Sequence, residues 1–165
     1  MKQGQQGHGS MAPDMVRRHY MMFGLNIVLS TIFMYLVMFE MIWSWGEFVQ
    51  NINFFYMALT MAMPMGILML LMMGSMYPDK RLNLVLYAVM GLLFVLAFVA
   101  VRAQALVGDK QFVRSMIPHH SGALTMCNRS SLRDQEIRDL CFKPNGIVES
   151  QTREIAQMER ILERL

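Results

Sequence analysis

The chain has 165 residues, a formal net charge of +3 and 55% hydrophobic residues. Only five charged residues fall between positions 20 and 101, whereas the stretch from Arg102 to Leu165 mixes ten Lys/Arg with eight Asp/Glu. Mixed signs leave no basic face, which excludes a nucleic-acid-binding surface, and the uneven distribution divides the chain into a membrane part and a small soluble part.

Methionine is the outlier, at 20 residues. Met serves as a flexible apolar filler, but thioether sulfur is also a soft ligand suited to Cu(I). Metal handling is therefore one hypothesis before any motif is considered.

The tail "MKQGQQGHGSMAP" is rich in Gly and Gln and has no hydrophobic period, so residues 1–19 read as a disordered cytoplasmic tail with His8 and His19 solvated. Three apolar runs follow, Tyr20–Met41, Phe54–Tyr77 and Leu82–Val101. Each has the roughly 20 residues that cross a hydrocarbon core of ~30 Å at about 1.5 Å per residue. No small-residue cleavage site follows the first, so it is expected to stay in the mature protein as a transmembrane helix. Residues 20–102 thus form a three-helix transmembrane domain.

Orientation follows from the positive charges of the short loops. Lys2, Arg17 and Arg18 precede the first run, the loop from Trp43 to Asn53 has no Lys or Arg, and Lys80 and Arg81 lie in the turn "YPDKRL". The N-terminus and that turn are expected inside, and residues 103–165 outside, facing the periplasm if the membrane is a bacterial inner membrane. Trp43 and Trp45 fit an outer aromatic belt. Glu40 falls near the same surface, either as a snorkelling carboxylate or as a buried functional one.

In the second run Met57, Met61, Met65, Met69 and Met73 recur every four residues along one face, while Ala58, Ala62 and Gly66 form a small-residue seam beside them. The methionine ladder reads as a packing face or as a soft-cation pathway. Pro64 is expected to kink the helix. None of the four histidines lies inside a run, which argues against a haem held between spans.

In the soluble part, Asp109 is expected to cap a helix through "KQFVRSMIPHHSGALTMCNRSS", bent or broken in its first turns by Pro118. Helical spacing places Met116, His120, Ala123 and Cys127 on one strip and His119, Ala123 and Met126 on the next, gathering imidazoles and thioethers on one side. A second helix is expected from Asp134 until the breaker "KPNG". The last segment puts Ile147, Gln151, Glu154, Ile155, Met158, Ile161 and Leu162 on one side of an amphipathic helix that needs an apolar partner. A hairpin this small falls short of a self-sufficient core, so a homo-oligomer or docking on the membrane part is expected. Cys127 and Cys141 flank the turn and read as a disulfide, as metal ligands or as buried free thiols.

The series Asp109, Phe112, Met116, His119, His120, Ala123 and Met126, followed by Gln151, Glu154, Ile155 and Met158, resembles the bacterial domain-of-unknown-function family 305 over about residues 105–162. The upstream run "YMALTMAMPMGILMLLMMGSMYPDKRLNL" resembles the three-span leader of some members. The resemblance implies an all-α, ferritin-like helical bundle outside the cytoplasm. It also implies copper or silver binding in some members, with Met116, His119, His120, Met126 and Met158 as the candidate ligands. The chain departs from the family in "FKPNG", where extra residues precede the last helix and bear on the height of Met158.

The leading expectation is a membrane-anchored periplasmic protein that buffers, delivers or detoxifies Cu(I) or Ag(I) through Met and His. A soft-metal transporter using the ladder is an alternative, as is an accessory subunit of a membrane assembly. An enzyme is disfavoured, because neither a nucleophile–base pair nor a di-iron carboxylate set is present.

Overall fold

The computed structural model describes residues 13–165, an all-helical arrangement with no strand among the described residues. Three long helices come first: α1 (Pro13–Val37), α2 (Ile52–Met72) and α3 (Lys80–Ala103). Each is long and apolar enough to cross a membrane. Three amphipathic or polar helices follow: α4 (Asp109–Arg129), α5 (Gln135–Phe142) and α6 (Ile147–Arg164).

The first helix starts earlier than its hydropathy suggests. Pro13 opens α1, a position where its missing N–H would have had no helical partner in any case, and Asp14 complements the positive helix end. Residues 13–19, expected to be part of a disordered tail, therefore belong to α1. The rest of that tail, His8 included, lies outside the described residues. The far ends of α1 and α2 fall short of Met41 and Tyr77 because the chain turns, with the Glu40 N–H donating to the Val37 carbonyl at 2.9 Å and the Met76 N–H to that of Met73 at 2.9 Å.

In the membrane unit α2 is central and packs on both α1 and α3. The seam carries the contact: Ala58 and Ala62 are fully buried, and a Cβ on Gly66 would fall 2.7 Å from both Ile27 Cδ1 and Met90 Sδ. Helices in lipid gain little from apolar burial as such, so close approach between small residues is what holds them. Pro64 does not interrupt α2, which is helical on both sides of it. At the end bearing the 77–80 turn, Tyr20, Phe23 and Tyr77 pack ring against ring, and the Tyr20 hydroxyl donates to Asn83 Oδ1 at 2.7 Å. Asp79 caps α3 by accepting from the Arg81 and Leu82 N–H groups.

The joint from α3 to α4 is short and bent, with Gln104 and Leu106 both in the left-handed region at φ 49° and 61°. It is fastened to α2, since the Tyr56 hydroxyl donates to the Ala105 carbonyl and Asn53 Nδ2 to Gln104 Oε1, each at 3.1 Å.

Beyond the joint, α4 and α6 pair over a core of Val113, Ile117, Leu124 and Ile155, with Val49 of the α1–α2 loop, Val148, Met158, Ile161 and Leu162 around it. The apolar side of the last helix finds its partner in α4. Asp134 caps α5, and the 143–146 turn closes tightly enough that a Cβ on Gly146 would meet the carbonyl oxygens of Lys143 and Leu140 at 2.7 and 2.9 Å. Cys127 at the end of α4 is bonded to Cys141 of α5 across a Cα separation of 5.7 Å.

Gly66→Val should destabilise the membrane unit by about 1–3 kcal/mol, the usual cost of overpacking a filled interior. Thermal unfolding in detergent, followed by far-UV circular dichroism, would check it, and an unchanged midpoint would show that the seam is not a close-packed contact.

Candidate metal centre

The candidate ligands lie on α4, whose position is set by its opposite side. Ile117 and Ser121 are fully buried, and Val113, Pro118, Leu124 and Cys127 are buried with them. Pro118 was expected to bend or break the first turns, yet α4 is continuous from Asp109. The packing of Ile117, Pro118 and Ser121 compensates for the hydrogen bond lost at the proline. Asp109 does not cap the helix: Gly108 is the cap residue, without a side-chain bond, and Asp109 lies in the first turn, where its charge complements the helix dipole.

The anchor of that buried side is polar. The Trp43 N–H donates to Ser121 Oγ at 2.6 Å, and the Ser121 hydroxyl donates to Glu47 Oε2. The same carboxylate oxygen accepts the Ser44 N–H at 2.8 Å, completing a capping box around the one-turn helix Trp45–Glu47. Glu47 is only 7% exposed. Arg129 adds a cation–π contact over the Trp43 ring at 5.6 Å, whereas Trp45 is exposed. Two further bonds tie α4 to the start of α2: Gln111 Oε1 accepts the Ile52 N–H, and Ser115 Oγ accepts from Asn53 Nδ2.

With its inner side held this way, α4 turns Phe112, Met116, His119, Ala123 and Met126 outward on a single exposed to half-exposed stripe. His120 borders the stripe with a largely covered side chain, its ring centroid 6.4 Å from that of His119. His120 Nδ1 lies 3.0 Å from Glu154 Oε2 on α6, close enough for ion pairing but without the alignment of a hydrogen bond. Gln151 Nε2 reaches the same carboxylate oxygen at 3.5 Å.

The structure thus brings Met116, His119 and His120 onto adjoining turns, with Met126 on the same stripe further along. In the antiparallel pairing of α4 and α6, four residues back from His120 and four on from Glu154 bring Met116 and Met158 to the same level. Met158, however, packs against the α4–α6 core instead of lying on the outer stripe. Cys127 is consumed in its bond to Cys141. Among the described residues no three His, Cys, Asp or Glu side chains converge as a metal set, and the soft donors that share the stripe with His119 are the thioethers of Met116 and Met126.

A soft ion fits that donor chemistry. A carboxylate facing Nδ1 is the partner that orients a ligating imidazole and leaves Nε2 free, and the neighbouring donors are thioethers. Sequence reasoning placed Glu154 on the apolar side of α6 and so missed it as the partner of His120. It also missed the pairing of Glu47 with Ser121: the Ser44-x-x-Glu47 spacing signals only the local capping box, and the two residues meet only in the fold.

The ladder of α2 does not point into the bundle core. Met57, Met61, Met65 and Met73 are exposed and Met69 is half-buried. Met61 and Met65 line a cavity of about 690 Å³ with Met34, Met38 and Glu40 of the α1 side. Met69 and Met73 line one of about 290 Å³ with Met22, Met76 and His19, and the two cavities adjoin at Leu29. Glu40 is exposed. His19, expected to be solvated, is half-buried on α1 with Nδ1 3.3 Å from the Met76 carbonyl oxygen.

Residues 99–162 match the family described as "Domain of unknown function (DUF305)". The chain is also 33% identical to "Uncharacterized protein L153" of Acanthamoeba polyphaga mimivirus, over 73% of this chain and 76% of that protein. No solved structure matches the chain.

Glu47→Ala would leave the Ser121 hydroxyl and the Ser44 N–H without their acceptor, a loss of about 1–3 kcal/mol for buried polar groups. Faster amide exchange along residues 115–125, with α2 and α3 unchanged, is the expected outcome. Unaltered exchange there would mean that the carboxylate does not hold α4.

Proposed function

We propose that this chain, which belongs to the DUF305 family, is a membrane-anchored soft-metal-binding protein that holds Cu(I), or Ag(I) as its analogue, to buffer it or pass it on. Met116, His119 and His120, with Met126 at the far end of the stripe, would hold the ion through thioether sulfur and neutral imidazole. The observation that carries this reading is the division of α4: the fold uses the side bearing Ile117 and Ser121 and leaves the Met–His stripe unspent, with Glu154 placed against His120 Nδ1. The role proposed is binding, not catalysis. Met158, half-buried at the edge of the α4–α6 core and level with Met116, would add a further thioether.

The α4–α6 unit is proposed to lie outside the cytoplasm of a bacterial inner membrane, with the N-terminus inside. Arg17 and Arg18 before the first span, and Lys80 and Arg81 between α2 and α3, support that orientation. The Cys127–Cys141 bond suits an oxidising compartment. A second copy of the chain would supply the other two helices of a ferritin-like bundle.

Cu(I) titration of the full chain in detergent against a competing chelator tests the centre. His119→Ala with His120→Ala should weaken binding at least tenfold, about 1.4 kcal/mol, and light scattering should give the mass of an oligomer. If the wild type and the double variant bind alike, or neither binds, the reading fails, and a monomer sinks the bundle.

A soft-metal transporter is the second reading, supported by the adjoining methionine-lined cavities between α1 and α2. It predicts Cu(I) flux into proteoliposomes that is lost in Met61→Leu with Met65→Leu. Flux that persists in that variant rules out the ladder as its route, and none in the wild type argues for binding alone.

A further inference from the structure

Where α4 meets the ends of α1 and α2 there is another cavity, of about 430 Å³, lined by Tyr35, Asn51, Gln111 and Arg114 among others. Its apolar wall includes Ile32 and Phe55, both about half exposed. The ion pairs among the described residues are His120–Glu154, Lys143–Asp139 and Arg153–Glu149. The Arg114 guanidinium therefore has no carboxylate partner there, and its Nε is buried without an acceptor. A cation partly withdrawn from water without a partner is costly to hold, and a guanidinium cannot relieve that cost by losing its proton.

The neighbouring polar groups have the same bias. The Tyr35 hydroxyl accepts the Asn51 N–H at 3.2 Å, which leaves its own proton to donate. Gln111 Oε1 accepts the Ile52 N–H at 3.1 Å, which leaves its amide N–H groups to donate. No carboxylate lines the cavity. The arrangement is a set of donors around one positive charge, set at the end of the apolar helices with the exposed side chains Ile32 and Phe55 in its wall.

We propose that this cavity binds the phosphate diester of an anionic membrane phospholipid. Arg114 takes two phosphate oxygens through its paired N–H groups, the geometry that favours Arg over Lys at such sites. Tyr35 and Gln111 add donors, and an acyl chain lies along Ile32 and Phe55. That apolar wall is what selects a lipid over free phosphate. The site is independent of the soft-metal reading, because none of these residues lies on the Met–His stripe.

The test uses the delipidated full chain in detergent, with native mass spectrometry and thermal unfolding in the presence of phosphatidylglycerol, phosphatidylcholine or inorganic phosphate. One phosphatidylglycerol should be retained per chain and should raise the unfolding midpoint. Phosphatidylcholine should bind at least tenfold more weakly, and inorganic phosphate should have no effect. Arg114→Gln should abolish the preference while helicity is kept. Tyr35→Phe should weaken retention by about tenfold, the scale of one hydrogen bond to a charged group. Should Arg114→Gln fail to fold, Arg114→Lys and Tyr35→Phe carry the test. Equal retention of the two lipids, an equal response to inorganic phosphate, or a preference unchanged in the variants overturns the proposal.

Discussion

The buried carboxylate of Glu47 holds the two halves of this molecule together. It lies in the loop between α1 and α2, accepts the Ser44 N–H of its own turn, and accepts a hydrogen bond from the Ser121 hydroxyl of α4. A carboxylate withdrawn from water persists only if its oxygens are satisfied, so the loop and α4 must stay in register for either to be stable. That constraint fixes the rotation of α4. Ser121 faces the loop, Ile117 and Leu124 face the core, and the Met–His stripe is left toward solvent.

Two physical regimes meet at this clasp. On the membrane side, close approach between Ala58, Ala62 and Gly66 and the neighbouring helices replaces apolar burial as the source of association. On the other side, a conventional but small core between α4 and α6 is reinforced by the Cys127–Cys141 bond and by polar ties to the start of α2. The α4–α6 pair is below the size at which one core usually suffices. Its docking on the membrane unit is part of what keeps it folded.

Much of the fold was legible because its signals are local. Long apolar runs marked α1 to α3, alternating apolar positions at helical spacing marked α6, and "KPNG" marked the turn before it. The small-residue seam was visible for the same reason, and so was the grouping of Met116, His119 and His120 on one side of a helix. What escaped depends on distant partners. Glu47 and Ser121 are 74 residues apart, and each alone resembles a solvated polar residue. Pro118 looked like a helix breaker because its compensating contacts come from other elements. Met158, a candidate ligand by position, is half-buried at the edge of the α4–α6 core, a placement set by the pairing of the two helices. His19 looked like part of a tail because the start of α1 is polar.

The short, left-handed joint at residues 104–108 limits how far the protein can act. Even fully extended, such a segment reaches roughly 17 Å, and it is instead folded and bonded to α2 through Asn53 and Tyr56. The α4–α6 unit is therefore fixed against the end of the three apolar helices and cannot swing on a tether. On the proposed soft-metal role, any molecule that exchanged the ion with α4 would itself have to come down to the membrane, in a search across a plane rather than through a volume.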